Sequence, residues 1–213
     1  NNRNARSVGL SGTQMSKFDL KFQKHDNSHP LEKVALREWV LTHISPARVL
    51  DVYGGNGLMF DRVWKLKSES YRAADGDALE WLQTQKNFAE NVFDIDPYAS
   101  PYEALEIIGQ KSTAARIGVV CTDGTLRRVA MMRTRIPQFL RVRCGWPERS
   151  LTLMAGIYHQ YPRYLRHVLA CVAPQWEVER LAIQYGKGTW KQATVYFAAI
   201  LTKRPTPGME AES

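Results

Sequence analysis

The sequence predicts an α/β fold: a central, mostly parallel sheet with helices on both faces. Three observations predict it. Apolar runs of strand length alternate with stretches of helical periodicity along most of the 213 residues. One such run, "ARVLDVYGG", breaks into glycines at Gly54, Gly55 and Gly57 before an amphipathic stretch resumes, as a strand-to-helix turn does. Aspartates follow several of the apolar runs, at the strand ends where an open α/β sheet gathers its ligand-facing loops.

The elements follow in order. Residues 1–28 are polar, basic and weakly periodic and read as an arm; residues 29–202 read as one domain and 203–213 as a tail rich in proline. In "HPLEKVALREWVLTHI" Pro30 opens the first helix, with Leu31, Val34, Ala35, Val40 and Ile44 as its apolar stripe. The first strand ends at Asp51, and a helix runs from Leu58 to Lys67 after the glycine turn. "YRAAD" reads as a second strand ending in Asp75, "ALEWLQTQ" as a helix, and "NVFDIDPYASP" as the strand that takes the fourth place in such a sheet. "EALEIIG" is the next helix and "ARIGVVCTDG" the next strand. Residues from about 151 to 171 read as helical, and "QATVYFAAIL" as the closing strand.

Composition narrows the function. A hydrophobic content of 44% with 10% aromatics is that of a soluble globular protein. No apolar run approaches the roughly 20 residues that span a bilayer, and "NNRNARSVGLSGTQMSKFD" lacks a signal peptide's apolar core, so a cytoplasmic protein without membrane contact is expected. Cys121, Cys144 and Cys171 are isolated in the sequence and odd in number, which supports neither a disulfide framework nor a zinc ribbon and reads as reduced thiols. His25 and His29 lie four apart with no carboxylate to complete a metal set, so no metal is predicted. The net charge of +8 favours a polyanionic partner, although a ribosomal or chromatin-like protein carries the same charge.

The strand ends carry the candidate chemistry. A glycine turn after Asp51 either seats a nucleotide-like group or simply joins strand to helix. Asp75, after the second strand, suits a ribose, whose hydroxyls donate to an acidic side chain; Asp77 either caps the helix it opens or approaches an adenine amine. The next strand ends in Asp94, Asp96, Pro97 and Tyr98. Between residues 127 and 149, Arg127, Arg128, Arg133, Arg135, Arg141, Arg143 and Arg149 stand against one acid, Glu148, with Phe139 and Trp146 interleaved. Guanidinium groups pair with phosphate oxygens and stack on bases, which makes the first six of these arginines the candidate nucleic-acid contacts. Tyr158, Tyr161 and Tyr164 are spaced for core packing.

Together "DVYGGNG", "FDIDPYASP" and "VVCTDGT" resemble the tRNA guanine N2-dimethyltransferases, a family of Rossmann-like class I methyltransferases that use S-adenosylmethionine. The resemblance covers roughly residues 45–200. It implies an S-adenosylmethionine site built from Asp51, Tyr53, Gly54, Asn56, Gly57, Asp75, Asp77 and Asp94, and an active-site motif of Asp96, Pro97 and Tyr98. It also implies methyl transfer to an exocyclic base amine, guanine N2 in a tRNA-like RNA first, with RNA favoured over DNA as partner. Asp96 would accept an amine N–H and Tyr98 would stack on the base. The chain departs from the family in three ways. Ala99 stands where the motif has glycine, the stretch between first and fourth strands is compressed, and there is no room for a second recognition domain. A compact relative acting on another RNA, a DNA amino-methyltransferase, and a non-catalytic basic nucleic-acid-binding module therefore stay open.

Overall fold

Strand β1 (Arg48–Asp51) buries Val49, Leu50 and Asp51, since neighbours pair with it on both sides and helices cover both its faces. The computed structural model describes residues 30–55, 57–97, 100–125, 136–148, 160–186 and 194–205. It forms one six-stranded sheet in the order β2-β1-β3-β4-β6-β5, with β2 at Ser70–Ala73, β3 at Val92–Ile95, β4 at Arg116–Asp123, β5 at Trp176–Tyr185 and β6 at Val195–Lys203. The first four strands pair in parallel, whereas β6 runs antiparallel to both β4 and β5.

Side-chain alternation along the strands feeds two cores. On β6, Val195, Phe197, Ala199 and Leu201 point into one, and Tyr196, Ala198 and Ile200 into the other. The second core is closed by α1 (Pro30–Leu41) through Leu36 and Val40, and by α2, a π-helical turn at Phe60–Trp64 continued by Lys65–Lys67, through Val63 and Trp64. The first core takes α3 (Ala78–Thr84), α4 (Tyr102–Lys111), α5 (Gln138–Cys144) and α6 (Tyr161–Val172). The α/β fold with helices on both faces is thus present. No helix among the described residues is long and apolar enough to cross a membrane.

Four expectations change. The strand ending near Asp94 is third in the chain, yet it occupies the fourth strand's seat beside β1; only β2 lies beyond β1, so a doubly wound sheet's outer strand is missing among the described residues. This accounts for the compression. The second strand stops at Ala73, not Asp75. The segment 176–185, assigned no element from sequence, is edge strand β5; its exposed Glu177, Glu179 and Arg180 hide the apolar alternation and keep the edge charged. The predicted stripe is met in part: Val40 and Ile44 are buried and Val34 packs against the core, but Leu31 is 76% exposed and Ala35 is exposed, while Lys33, Leu36 and Arg37 are buried on α1. Gly118 on β4 permits this close approach, since a Cβ there would stand 2.5 Å from Val40 Cγ1.

Candidate functional site

After β1 the chain turns to β2 on one side and later returns to β3 on the other, so the carboxyl ends of β1 and β3 diverge and open a cleft between their loops. The register pairs Asp51 with Asp94 across this switch point. Two carboxylates buried at neighbouring positions repel one another and lose hydration, and α1 answers with a cation. Arg37, 2% exposed, donates from Nε to Asp94 Oδ2 at 2.7 Å and from Nη2 to Oδ1 at 2.5 Å. Trp64 Nε1, turned inward by the π-helical turn of α2, donates to Asp94 Oδ2 at 2.8 Å. Burial opposes the Arg37 charge, but Asp94 and Asp96 more than offset it, and its pKa is raised.

Asp51 keeps a more open side. Its Oδ2 accepts from Tyr71 OH at 2.9 Å and its Oδ1 from the Tyr53 N–H at 3.2 Å. Burial, followed by the charge of Asp94, pushes its carboxyl up to about 7 against the pull of Tyr71 and Arg37. Asp96, just past β3, accepts from Lys33 Nζ at 2.5 Å and from Thr122 Oγ1 of β4. Lys33 also lies 5.8 Å from the centre of the Tyr196 ring.

Of these groups, Arg37, Asp51, Tyr53 and Asp96 border one cleft of about 320 Å³, counted to its open mouth. Asp51, Tyr53, Gly54 and Gly55 form one wall, Leu58 and Met59 another, and Arg37 and Asp96 complete it. Gly57 shapes the turn from outside this lining: its φ of +78° is the left-handed region that favours glycine, and its N–H donates to Gly54 O at 2.9 Å.

The sequence candidates are distributed unevenly around the cleft. Asp51, Tyr53, Gly54 and Asp96 line it, and Pro97 is buried beside Asp96. Asp75 is exposed two residues beyond β2 and outside the lining. Asp77 caps α3, its Oδ1 accepting from the Glu80 N–H at 2.9 Å. Asp94 is not among the residues that line the cleft: at 1% exposure its oxygens are engaged by Arg37 and Trp64, which ties α1 and α2 to the sheet. Asn56, Tyr98, Arg127, Arg128, Arg133 and Arg135 lie outside the described residues. On α5, Arg143 pairs at 2.7 Å with Glu106 of α4, and Arg141 at 3.7 Å with Glu148, the one acid of its own stretch.

Sequence reasoning missed Lys33, Arg37, Trp64, Tyr71 and Thr122. The signal lay in α1, where Lys33 and Arg37 share a face with Leu36 and Val40; basic residues at that spacing on an apolar face call for buried acids. Past the cleft, β4 turns Asp123 to the other core, where it is 1% exposed and accepts from Tyr102 OH at 2.5 Å, Tyr161 OH at 2.8 Å and the Thr125 N–H at 2.8 Å. Burial raises its carboxyl, and the hydrogen bonds tie β4 to α4 and α6. Tyr161 and Tyr164 are buried in the core, as their spacing suggested, while Tyr158 lies outside the described residues.

The switch point, the glycine turn and the cleft between them define a Rossmann-like α/β protein. No family model and no curated protein matches the sequence. Among solved structures, the chain is similar to protein 1320 of Thermoplasma acidophilum, at 11% identity and a TM-score of 0.49 over 85% of this chain and 90% of that one. It is also similar to TYW2 of M. jannaschii in complex with AdoMet, at 8% identity and a TM-score of 0.48 over 81% of this chain and 77% of that one. A third is the N-methyltransferase NodS of Bradyrhizobium japonicum WM9 in complex with S-adenosyl-l-homocysteine, at 9% identity and a TM-score of 0.44 over 85% and 91%.

Proposed function

We propose that this chain is a methyltransferase that uses S-adenosylmethionine and acts on an exocyclic amine of a nucleobase, with guanine N2 in RNA the first candidate. One observation carries the reading: a single cleft at the switch point holds the glycine turn, Asp51 and Asp96 together. The donor set fits the cofactor, because two carboxylates complement its sulfonium and ammonium charges and the glycines let a ligand come close to the backbone. When bound, S-adenosylmethionine supplies an electrophilic methyl group. Asp51, Tyr53, Gly54 and Gly55 would hold it, and Asn56, Gly57, Asp75 and Asp77 are assigned to the same cofactor.

Asp96 is the residue assigned to the amine. An ionised carboxylate has about four acceptor sites, and Lys33 and Thr122 take one on each oxygen, so capacity for an amine N–H remains. The same two partners fix its orientation before substrate arrives, which is where positioning catalysis gains its rate. Pro97 restricts the backbone after it, and Tyr98 is assigned to stack on the base.

The test offers labelled cofactor and separate RNA and DNA pools to the parent chain and to Asp96→Ala. RNA labelling by the parent, falling at least about a hundredfold in the variant while calorimetric cofactor binding persists, is the expected result. Labelling confined to DNA would move the reading to a DNA amino-methyltransferase. Cofactor binding without any transfer would leave a basic binding module.

A further inference from the structure

Two of the three cysteines, distant in sequence, come together in space. Cys144 is the last residue of α5, and Cys171 and His167 lie one turn apart on α6, so the i, i+4 spacing points both the same way. The two sulfurs and an imidazole nitrogen all fall within 4.8 Å of one another. We propose that Cys144, His167 and Cys171 bind a zinc ion that fastens the end of α5 to α6.

The distances suit that ion. Zn–S bonds of about 2.3 Å and Zn–N bonds of about 2.0–2.1 Å at a tetrahedral angle separate sulfur from nitrogen by roughly 3.6 Å. Cys171 Sγ stands 3.7 Å from His167 Nε2. Two thiolates neutralise a dipositive ion and a neutral imidazole adds a third bond, a soft donor set that suits zinc and rejects magnesium or calcium, which take oxygen ligands. His167 is exposed and both cysteines are half-buried, so a fourth position is open to water.

The surroundings are built to hold this geometry. Gly145, with φ at +66°, ends α5 in the left-handed region and turns the chain back, and the Trp146 N–H donates to Arg141 O at 3.2 Å. The Trp146 ring then stacks on His167, centroids 6.1 Å apart and planes 20° from parallel, and rests on Tyr164 at 5.3 Å. An oriented imidazole is what a zinc ligand needs. The site also has a mechanical purpose. Within its seven residues α5 buries only Leu140 among the described side chains, little to secure a helix that carries Arg141 and Arg143.

The test uses the full chain, reduced and stripped with chelator. Zinc titrated against a chromophoric competitor should bind at one equivalent per chain, and cobalt should give a thiolate-to-metal charge-transfer band. Cys144→Ser, Cys171→Ser and His167→Ala should each weaken zinc at least tenfold and abolish the rise in thermal midpoint that zinc gives the parent. His167 is exposed, so His167→Ala is expected to keep the parental far-ultraviolet circular dichroism and remains informative if a cysteine variant fails to fold. Absence of stoichiometric uptake, or uptake unchanged in all three variants as histidines elsewhere would give, overturns the proposal. So does a Cys144–Cys171 disulfide forming in a protein that takes up no zinc when reduced.

Discussion

Asp51 and Arg37 show how single side chains set the character of the cleft. The Asp51 carboxyl titrates near 7 instead of near 3.8, so the folded chain holds a proton that the unfolded chain has already released. Between those values the folded state binds more protons, and Asp51's contribution to stability therefore falls as pH rises through the window and levels off above about pH 7. A cation in the cleft favours the ionised form, so affinity for S-adenosylmethionine should weaken as pH drops below about 7, by at most about tenfold per unit for one proton. Isothermal titration from pH 8 to pH 5.5 measures this, and Asp51→Asn should flatten the profile. A parental profile that is already flat would take Asp51 out of cofactor binding. Arg37 is tested through its partner. Arg37→Ala strands the Asp94 charge in the core and should cost about 3–5 kcal/mol in denaturant unfolding, whereas Arg37→Met combined with Asp94→Asn should cost clearly less.

At the scale of elements, α1 connects the sheet to the chemistry. It lies close enough on β4 that Gly118→Ala would set a methyl 2.5 Å from Val40 Cγ1 and 3.3 Å from Ile44 Cγ1. Overpacking of that kind costs about 1–3 kcal/mol. It should also weaken cofactor binding, because a displaced α1 carries Lys33 and Arg37 with it. Adding Val40→Ala should return stability beyond the sum of the single changes, and strict additivity would show that α1 and β4 do not press on each other. This close approach also explains what the sequence concealed. Strand β4, helix α4 and the glycine turn were legible because their periodicity and their glycines stand in one continuous stretch. The face of α1 was not, because its buried cations find their partners 57 and 63 residues away in Asp94 and Asp96. Asp51 and Asp96 could be named from their strand ends, but the division of labour with Asp94 depends on which carboxylate Arg37 reaches, and only the folded register decides that.

For the whole molecule, a net charge of +8 leaves open whether the arginines of residues 127–143 meet phosphate or merely face water. Salt dependence separates the two. Each phosphate contact releases counter-ions and steepens the fall of log K with log salt by about 0.7 on a single strand and about 0.9 on B-DNA. Arg143 is held by Glu106 and sits 5.9 Å from the Phe139 ring, and Arg141 is held by Glu148, so part of their charge is already answered within the fold. Arg141→Gln with Arg143→Gln should therefore change the slope on a single-stranded RNA by less than about 1. Replacing Arg127, Arg128, Arg133 and Arg135 together should lower it by about 2–3, since the sequence places no acid beside them. Binding measured between 50 and 200 mM salt reads both slopes. If the fourfold variant kept the parental slope, these arginines would be a solvated surface and the polyanion would have to dock elsewhere. If the double variant lost as much as the fourfold one, phosphate would be outcompeting Glu106 and Glu148 for their guanidinium partners, and α5 would belong to the nucleic-acid face.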